Sequence, residues 1–202
     1  MNNGRAPLPK PRMEVRLAGS GGQGLLLAGL VLAEAAGLHE GREVAMAQSY
    51  GPEARGGASK AEVIVSDEPI DFPQCDRVDV LLALTQEAAD AYCWDLDPEA
   101  TIIVDGDLVS HPPTSRAIGL PFTAAARDKL GKVMVANVVA LGAISQLTGL
   151  VGRRALEKAL QARTPAAALE LNKKALALGF RLARERAGLA AAFEPEPSAE
   201  DV

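Results

Sequence analysis

The chain has 202 residues, 48% of them hydrophobic, which suits one domain with a packed core and excludes a disordered chain. Its formal net charge of −5 argues against nucleic acid as a partner, because phosphate binding needs a basic face. No run of about 18 apolar residues offers a membrane span. The opening MNNGRAPLPKPR has no apolar stretch behind its basic residues, so no secretory signal is expected and the chain reads as cytoplasmic.

Residues 1–12 read as a flexible lead. Met13–Ala18 alternates apolar and polar residues before turning apolar, as a first strand entering a sheet would. Gly19–Gly24 is a turn. Gly22 to about Ala36 is predicted as a helix rich in Leu and Ala, with Gly37 placed to cap its C-terminus. Glu43–Ala47 is a short strand candidate that runs into the loop Gln48–Gly57 (QSYGPEARGG). Ser59–Ser66 alternates strongly. Val78–Leu84 is almost continuously apolar, the mark of a strand covered on both faces.

Thr85–Cys93 follows as a helix, with Thr85 as N-cap and Glu87 near its positive end. Thr101–Val104 is a strand stopped by Asp105-Gly106-Asp107, and Ile118–Phe122 holds a last short strand. Helices are predicted at Thr123–Leu130, Val133–Leu147, Arg153–Ala162 and Ala166–Ala187. Strands alternating with helices give an α/β fold, a Rossmann-like three-layer domain with a largely parallel sheet and a helical C-terminal third. A single domain is expected over residues 13–190, and an acidic disordered tail over 191–202.

Two stretches carry chemistry. Gly19-Ser20-Gly21-Gly22-Gln23-Gly24 satisfies G-x-G-x-x-G, and it follows a strand and opens a helix. Its glycines let backbone approach a ligand, and free N–H groups at a helix N-terminus attract an anion. A dinucleotide site would also need an acid at the end of the next strand, roughly 20 positions on, to bind a ribose. Glu43 has the spacing, but it begins that strand. Gln48–Gly57 combines Gln48, Ser49, Tyr50, Glu53, Arg55, Gly56 and Gly57, more hydrogen-bonding and charged groups than a plain surface turn requires. If the strand order reverses between the first two strands, both loops face one crevice.

The pair GSGGQG and QSYGPEARGG, in this order and followed by SKAEVIVS, resembles the gamma subunit, or gamma domain, of 2-oxoacid:ferredoxin oxidoreductases over roughly residues 13–180. Neither motif departs from the family pattern. A stand-alone chain of this length is most similar to the 2-oxoglutarate type, with the pyruvate, branched-chain and indolepyruvate types as alternatives. The resemblance implies oxidative decarboxylation of a 2-oxoacid on thiamine diphosphate, with two electrons passing through iron–sulfur clusters to ferredoxin and an acyl-coenzyme A formed. It further implies that alpha and beta chains carry the thiamine diphosphate, that an iron–sulfur subunit or ferredoxin carries the clusters, and that this chain binds no cofactor alone. Ser20, Gly21, Gly22, Gln23 and Gly24 would then form an anion loop on the coenzyme A side. Gln48, Ser49, Tyr50, Glu53, Arg55, Gly56 and Gly57 would form its second wall.

The rest of the sequence offers little competing chemistry. Cys75 and Cys93 have no CxxC spacing and cannot ligate a cluster by themselves. Asp105-Gly106-Asp107 starts like a thiamine-binding run, but no paired asparagines follow, so a strand-end turn is the reading. Asn137, inside an apolar helix, is expected to cap or to bond between helices. His39 and His111 read as exposed, Glu34, Glu157 and Glu170 as solvated helix faces, and Trp94 as packed at a helix end or a partner interface. Two rival functions stay open: a free-standing NAD(P)- or flavin-binding protein, and a scaffold whose loops only pack on partners.

Overall fold

The structure, a computed structural model, describes residues 8–50 and 57–192. Six strands form one sheet: β1 (Arg12–Ser20), β2 (Glu43–Tyr50), β3 (Ala58–Ser66), β4 (Val78–Ala83), β5 (Leu96–Asp105) and β6 (Ile118–Leu120). Their order is β2-β3-β1-β4-β5-β6. Strands β1, β4, β5 and β6 pair in parallel, while β3 is antiparallel to both β1 and β2. The mostly parallel sheet agrees with the sequence reading. The exception has a local cause: only the seven residues 51–57 separate β2 from β3, too few for the crossover that a parallel pair requires.

The helices are α1 (Leu25–Glu34), α2 (Gln86–Tyr92), α3 (Phe122–Leu130), α4 (Ala136–Thr148), α5 (Arg153–Arg163) and α6 (Ala166–Ala192). One face of the sheet carries α1 and the C-terminal helices over the main core, where Val15, Leu17, Leu32, Val63, Leu82 and Ile144 are buried. The other face carries α2 over a smaller cluster of Ala18, Leu81, Ala83, Ala88 and Val104. Strand alternation divides β1 between the two. Thr85 caps α2 as predicted, its hydroxyl accepting from the N–H of Ala88 at 3.2 Å.

Several boundaries differ from expectation. Residues 8–12 are not a loose lead: Leu8 is buried, Lys10 bridges Asp79 and Asp97 at 2.6 and 3.1 Å, and β1 already starts at Arg12. The first helix starts after Gly24 and continues through a π-helical turn, Ala35–His39, so Gly37 lies inside it and caps nothing. Gly41, at φ +67°, reverses the chain instead. Gln48, Ser49 and Tyr50 belong to β2, opposite Ala61, Lys60 and Ser59, because β3 extends far enough to pair them. Ala191 and Ala192 continue α6; the tail beyond lies outside the described residues.

The α2 face buries charge that the sequence pattern read as ordinary alternation. Arg16 is 2% exposed and forks to Asp95 (2.7 Å from Nη2) and Glu62 (2.7 Å from Nε). Glu14 accepts from the backbone N–H groups of Asp76 (2.7 Å) and Arg77 (3.0 Å). Both side chains leave the sheet opposite to Val15 and Leu17, and each is held by hydrogen-bonding partners, as buried charge must be. The Arg16 guanidinium holds the Asp95 carboxyl below its ordinary range. Glu34 is likewise no solvated face: its carboxylate is mostly covered and pairs with Arg163.

Candidate functional site

Each glycine of the turn after β1 has a different physical reason. Gly22 and Gly24 sit at φ +88° and +71°, where other side chains are strained. A Cβ on Gly19 would overlap Oε1 of Gln23, and one on Gly24 would overlap Nδ2 of Asn137. Gly21 has neither constraint; a Cβ there would meet nothing within 4 Å. The room at Gly19 and Gly24 is used from inside. Gln23 turns its carbonyl oxygen back onto the N–H of Ser20 at 2.8 Å, and Asn137 of α4 donates to the Gly24 carbonyl at 2.9 Å. Gln23 therefore shapes the loop through its side chain, a role its predicted place in an anion loop did not specify. Asn137 is a clamp between the turn and α4 rather than a bond between helices.

The N–H groups of Ser20 and Gln23 are engaged within the turn, to Gln23 Oε1 and the Ser20 carbonyl. Those of Gly21 and Gly22 have no acceptor among the described residues. Helix α1 begins at once behind them, with no side-chain cap. Its first N–H groups point with its positive end toward the same place. A cavity of about 240 Å³ lies there, bordered by Ser20, Gly21 and Gly22 on one side and by Gln48, Ser59 and Lys60 on the other. Lys60 contributes strand rather than charge: its ammonium pairs with Glu62 at 2.9 Å and lies 5.6 Å from the centre of the Tyr92 ring, on the α2 face.

The glycine turn and the described ends of the second loop lie at one end of the sheet, although β1 and β2 are not neighbours. Both strands are antiparallel to β3, so both deliver their carboxyl ends beside its first residues. The structure thus brings Ser20, Gly21, Gly22 and Gly24 to one cavity with Gln48. Ser49 and Tyr50 occupy the last positions of β2, and Gly57 directly precedes β3. Glu53, Arg55 and Gly56 lie outside the described residues. Glu43 opens β2 opposite Ser66, at the far end of a strand that spans roughly 20 Å. It is too distant to serve a ribose held at the turn.

On the other side of the turn, a second cavity of about 440 Å³ is bordered by Gly22, Gln23, Asp105, Val133, Met134 and Asn137. Asp105 is buried, and burial pushes its carboxyl up. Its oxygens accept from the Thr123 hydroxyl (2.5 Å) and the Asp107 N–H (3.1 Å), the strand-end turn expected of it. Burial, with Glu62 and Glu14 nearby, pushes the Cys75 thiol up to about 12, and burial raises Cys93 as well. His39 and His111 are exposed. Among the described residues no helix is long and apolar enough to cross a membrane.

Fold and turn together define a Rossmann-like domain with a glycine turn at a helix N-terminus and, among the described residues, no acid placed for a dinucleotide ribose. A model of the pyruvate ferredoxin/flavodoxin oxidoreductase family matches residues 14–182, and the chain belongs to that family. It is 44% identical to the 2-oxoglutarate synthase subunit KorC of Methanocaldococcus jannaschii, over 87% of this chain and 96% of that one. A keto/oxoacid ferredoxin oxidoreductase gamma subunit from Geobacter sulfurreducens superposes with a TM-score of 0.80 at 46% identity, over 88% of this chain and 99% of that one. The 2-oxoglutarate:ferredoxin oxidoreductase of Magnetococcus marinus, solved with 2-oxoglutarate, coenzyme A and succinyl-CoA bound, superposes with a TM-score of 0.77 at 25% identity. There the match covers 87% of this chain but 32% of the longer one.

Proposed function

We propose that this chain is the gamma subunit of a 2-oxoglutarate:ferredoxin oxidoreductase and supplies the wall against which coenzyme A is held. In that reaction a 2-oxoacid and coenzyme A give an acyl-coenzyme A and carbon dioxide, and two electrons leave to ferredoxin. Thiamine diphosphate and the iron–sulfur clusters belong to the partner chains, alpha, beta and an iron–sulfur subunit or ferredoxin itself. The near full-length match to KorC supports the type.

One observation carries the site: the N–H groups of Gly21 and Gly22, unclaimed among the described residues, border a cavity whose opposite wall is Gln48. Such groups, backed by a helix N-terminus, suit the phosphates of coenzyme A. The stretch Ser49, Tyr50, Glu53, Arg55, Gly56 and Gly57 follows Gln48 in the chain, and in this reading Arg55 supplies a cation and Tyr50 a ring for the adenine. This chain moves no proton and breaks no bond. It binds, orients and helps to exclude water.

Gly21 tests the reading, because its φ is outside the left-handed region and a Cβ there meets nothing within 4 Å among the described residues. Gly21→Val should leave the melting temperature of the chain unchanged. In the assembled enzyme it should raise the KM for coenzyme A by about tenfold or more, the equivalent of one lost phosphate contact, with the KM for the 2-oxoacid unchanged. An unchanged coenzyme A KM in both Gly21→Val and Arg55→Ala would leave the loops a scaffold role only.

A further inference from the structure

We infer that Gln23 is a positioning residue for coenzyme A, and that Gly19 is glycine in order to admit it. The Gln23 amide closes the turn in advance, so that the N–H groups of Gly21 and Gly22 face the cavity before any ligand arrives. Resting on the reading of that turn as the coenzyme A wall, this role gives Gln23 no contact with the ligand. Ser20–Gln23 closes as a β-turn. Its backbone bond, from the Gln23 N–H to the Ser20 carbonyl, is long at 3.3 Å. Gly22, third in the turn, has the positive φ, +88°, that a type II turn requires at that place. The side chain adds a second and shorter closure, Oε1 of Gln23 accepting from the Ser20 N–H at 2.8 Å. The two bonds run in opposite senses between the same two residues. Gly21 and Gly22 between them keep N–H groups with no acceptor among the described residues.

Gln23 does not line the 240 Å³ cavity; it borders the larger one on the other side of the turn, with Asp105 and Asn137. It therefore acts on a ligand through the backbone it holds. Gly19 is its counterpart. A Cβ at that position would overlap Oε1 of Gln23 and come within 3.3 Å of the Leu84 Cβ. The overlap displaces the amide, whereas the second contact is tight but tolerable. The φ of Gly19 is outside the left-handed region, so space for the Gln23 amide, and not backbone freedom, is the reason for glycine here. The first and fifth residues of the G-x-G-x-x-G run thus work as one device. Such pre-ordering matters most in a glycine-rich turn, which loses the most conformational freedom when a ligand has to order it.

Gln23→Met keeps the length of the side chain and removes the acceptor. In the assembled enzyme it should raise the KM for coenzyme A about fivefold, the equivalent of one neutral hydrogen bond, with much smaller changes in kcat and in the KM for the 2-oxoacid. Gly19→Ala, which pushes the amide out, should do the same. The double variant should be no worse than either single one, because both remove the same bond, whereas independent effects would multiply. In the isolated chain, hydrogen exchange of the Ser20 amide, followed by NMR, should quicken about fivefold or more in Gln23→Met, and Gln23→Glu, which retains the acceptor, should keep it protected. Multiplying effects, or a Ser20 amide as protected in Gln23→Met as in the wild type, would overturn the proposal. A raised coenzyme A KM in Gly21→Val with an unchanged one in Gln23→Met would also overturn it, and would leave the coenzyme A wall standing. Unchanged values in both would overturn the wall, and the role of Gln23 with it.

Discussion

Asn137 reaches back along the chain to hold the carbonyl of Gly24, and its own oxygen accepts from the N–H of Val138 at 2.9 Å. It is 4% exposed in a helix whose other buried positions are almost all apolar. Such a residue is costly unless satisfied, and here both of its functions are used on the turn and the helix start. Asn137→Leu, similar in volume, should destabilise the chain by about 1–3 kcal/mol, read as a shift in the urea midpoint at unchanged slope. Asn137→Asp retains the acceptor and loses the donor, so it should also be destabilised. A wild-type midpoint for both would show that the clamp contributes nothing. The residue itself stood out in the sequence as a polar group in an apolar run. Its partner did not, because nothing local relates position 137 to position 24.

The elements follow the same division. Periodicity placed all six strands and the six α-helices, and Thr85 announced its own cap. It missed how α4 and α6 approach one another. A Cβ on Gly179 would overlap the Val139 carbonyl oxygen, and one on Gly142 would overlap that of Leu176. Two glycines facing across the crossing let the backbones touch, and this contact anchors the long last helix over the main core. Gly179→Ala should therefore destabilise the protein by about 3 kcal/mol, although alanine is the better helix former; thermal unfolding by circular dichroism measures it. Stabilisation by this substitution would mean that the helices can separate without cost. In the sequence these glycines look only like tolerated weak points in two helices.

At the scale of the whole molecule, β1 unites the two faces. Met13, Val15 and Leu17 belong to the main core, Ala18 to the cluster under α2, and Arg16 to the ionic network between β1, β3 and Asp95. With one central strand serving both sides, neither core can be lost alone. Urea unfolding of the isolated chain should be a single transition, with Trp94 fluorescence, which reports the α2 side, coinciding with far-ultraviolet circular dichroism, which reports mostly the helices of the other side. Separated midpoints would show two units instead. The chain is then one cooperative unit that presents its glycine turn at one end of the sheet.

What the sequence determined by itself was local or motif-borne: the strand and helix periods, the N-cap at Thr85, and the paired loops at Gly19–Gly24 and Gln48–Gly57 that marked the family. Tertiary structure alone decided that β3 lies between β1 and β2 and so brings Gln48 to the glycine turn. It alone decided that Gln23 and Asn137 face inward and that Arg16 and Glu14 are buried. The reason is physical. Periodicity and capping are set by neighbours within a few positions, whereas strand order, burial of charge and the meeting of two loops depend on contacts between residues far apart in the chain, which leave no trace in the spacing of either segment.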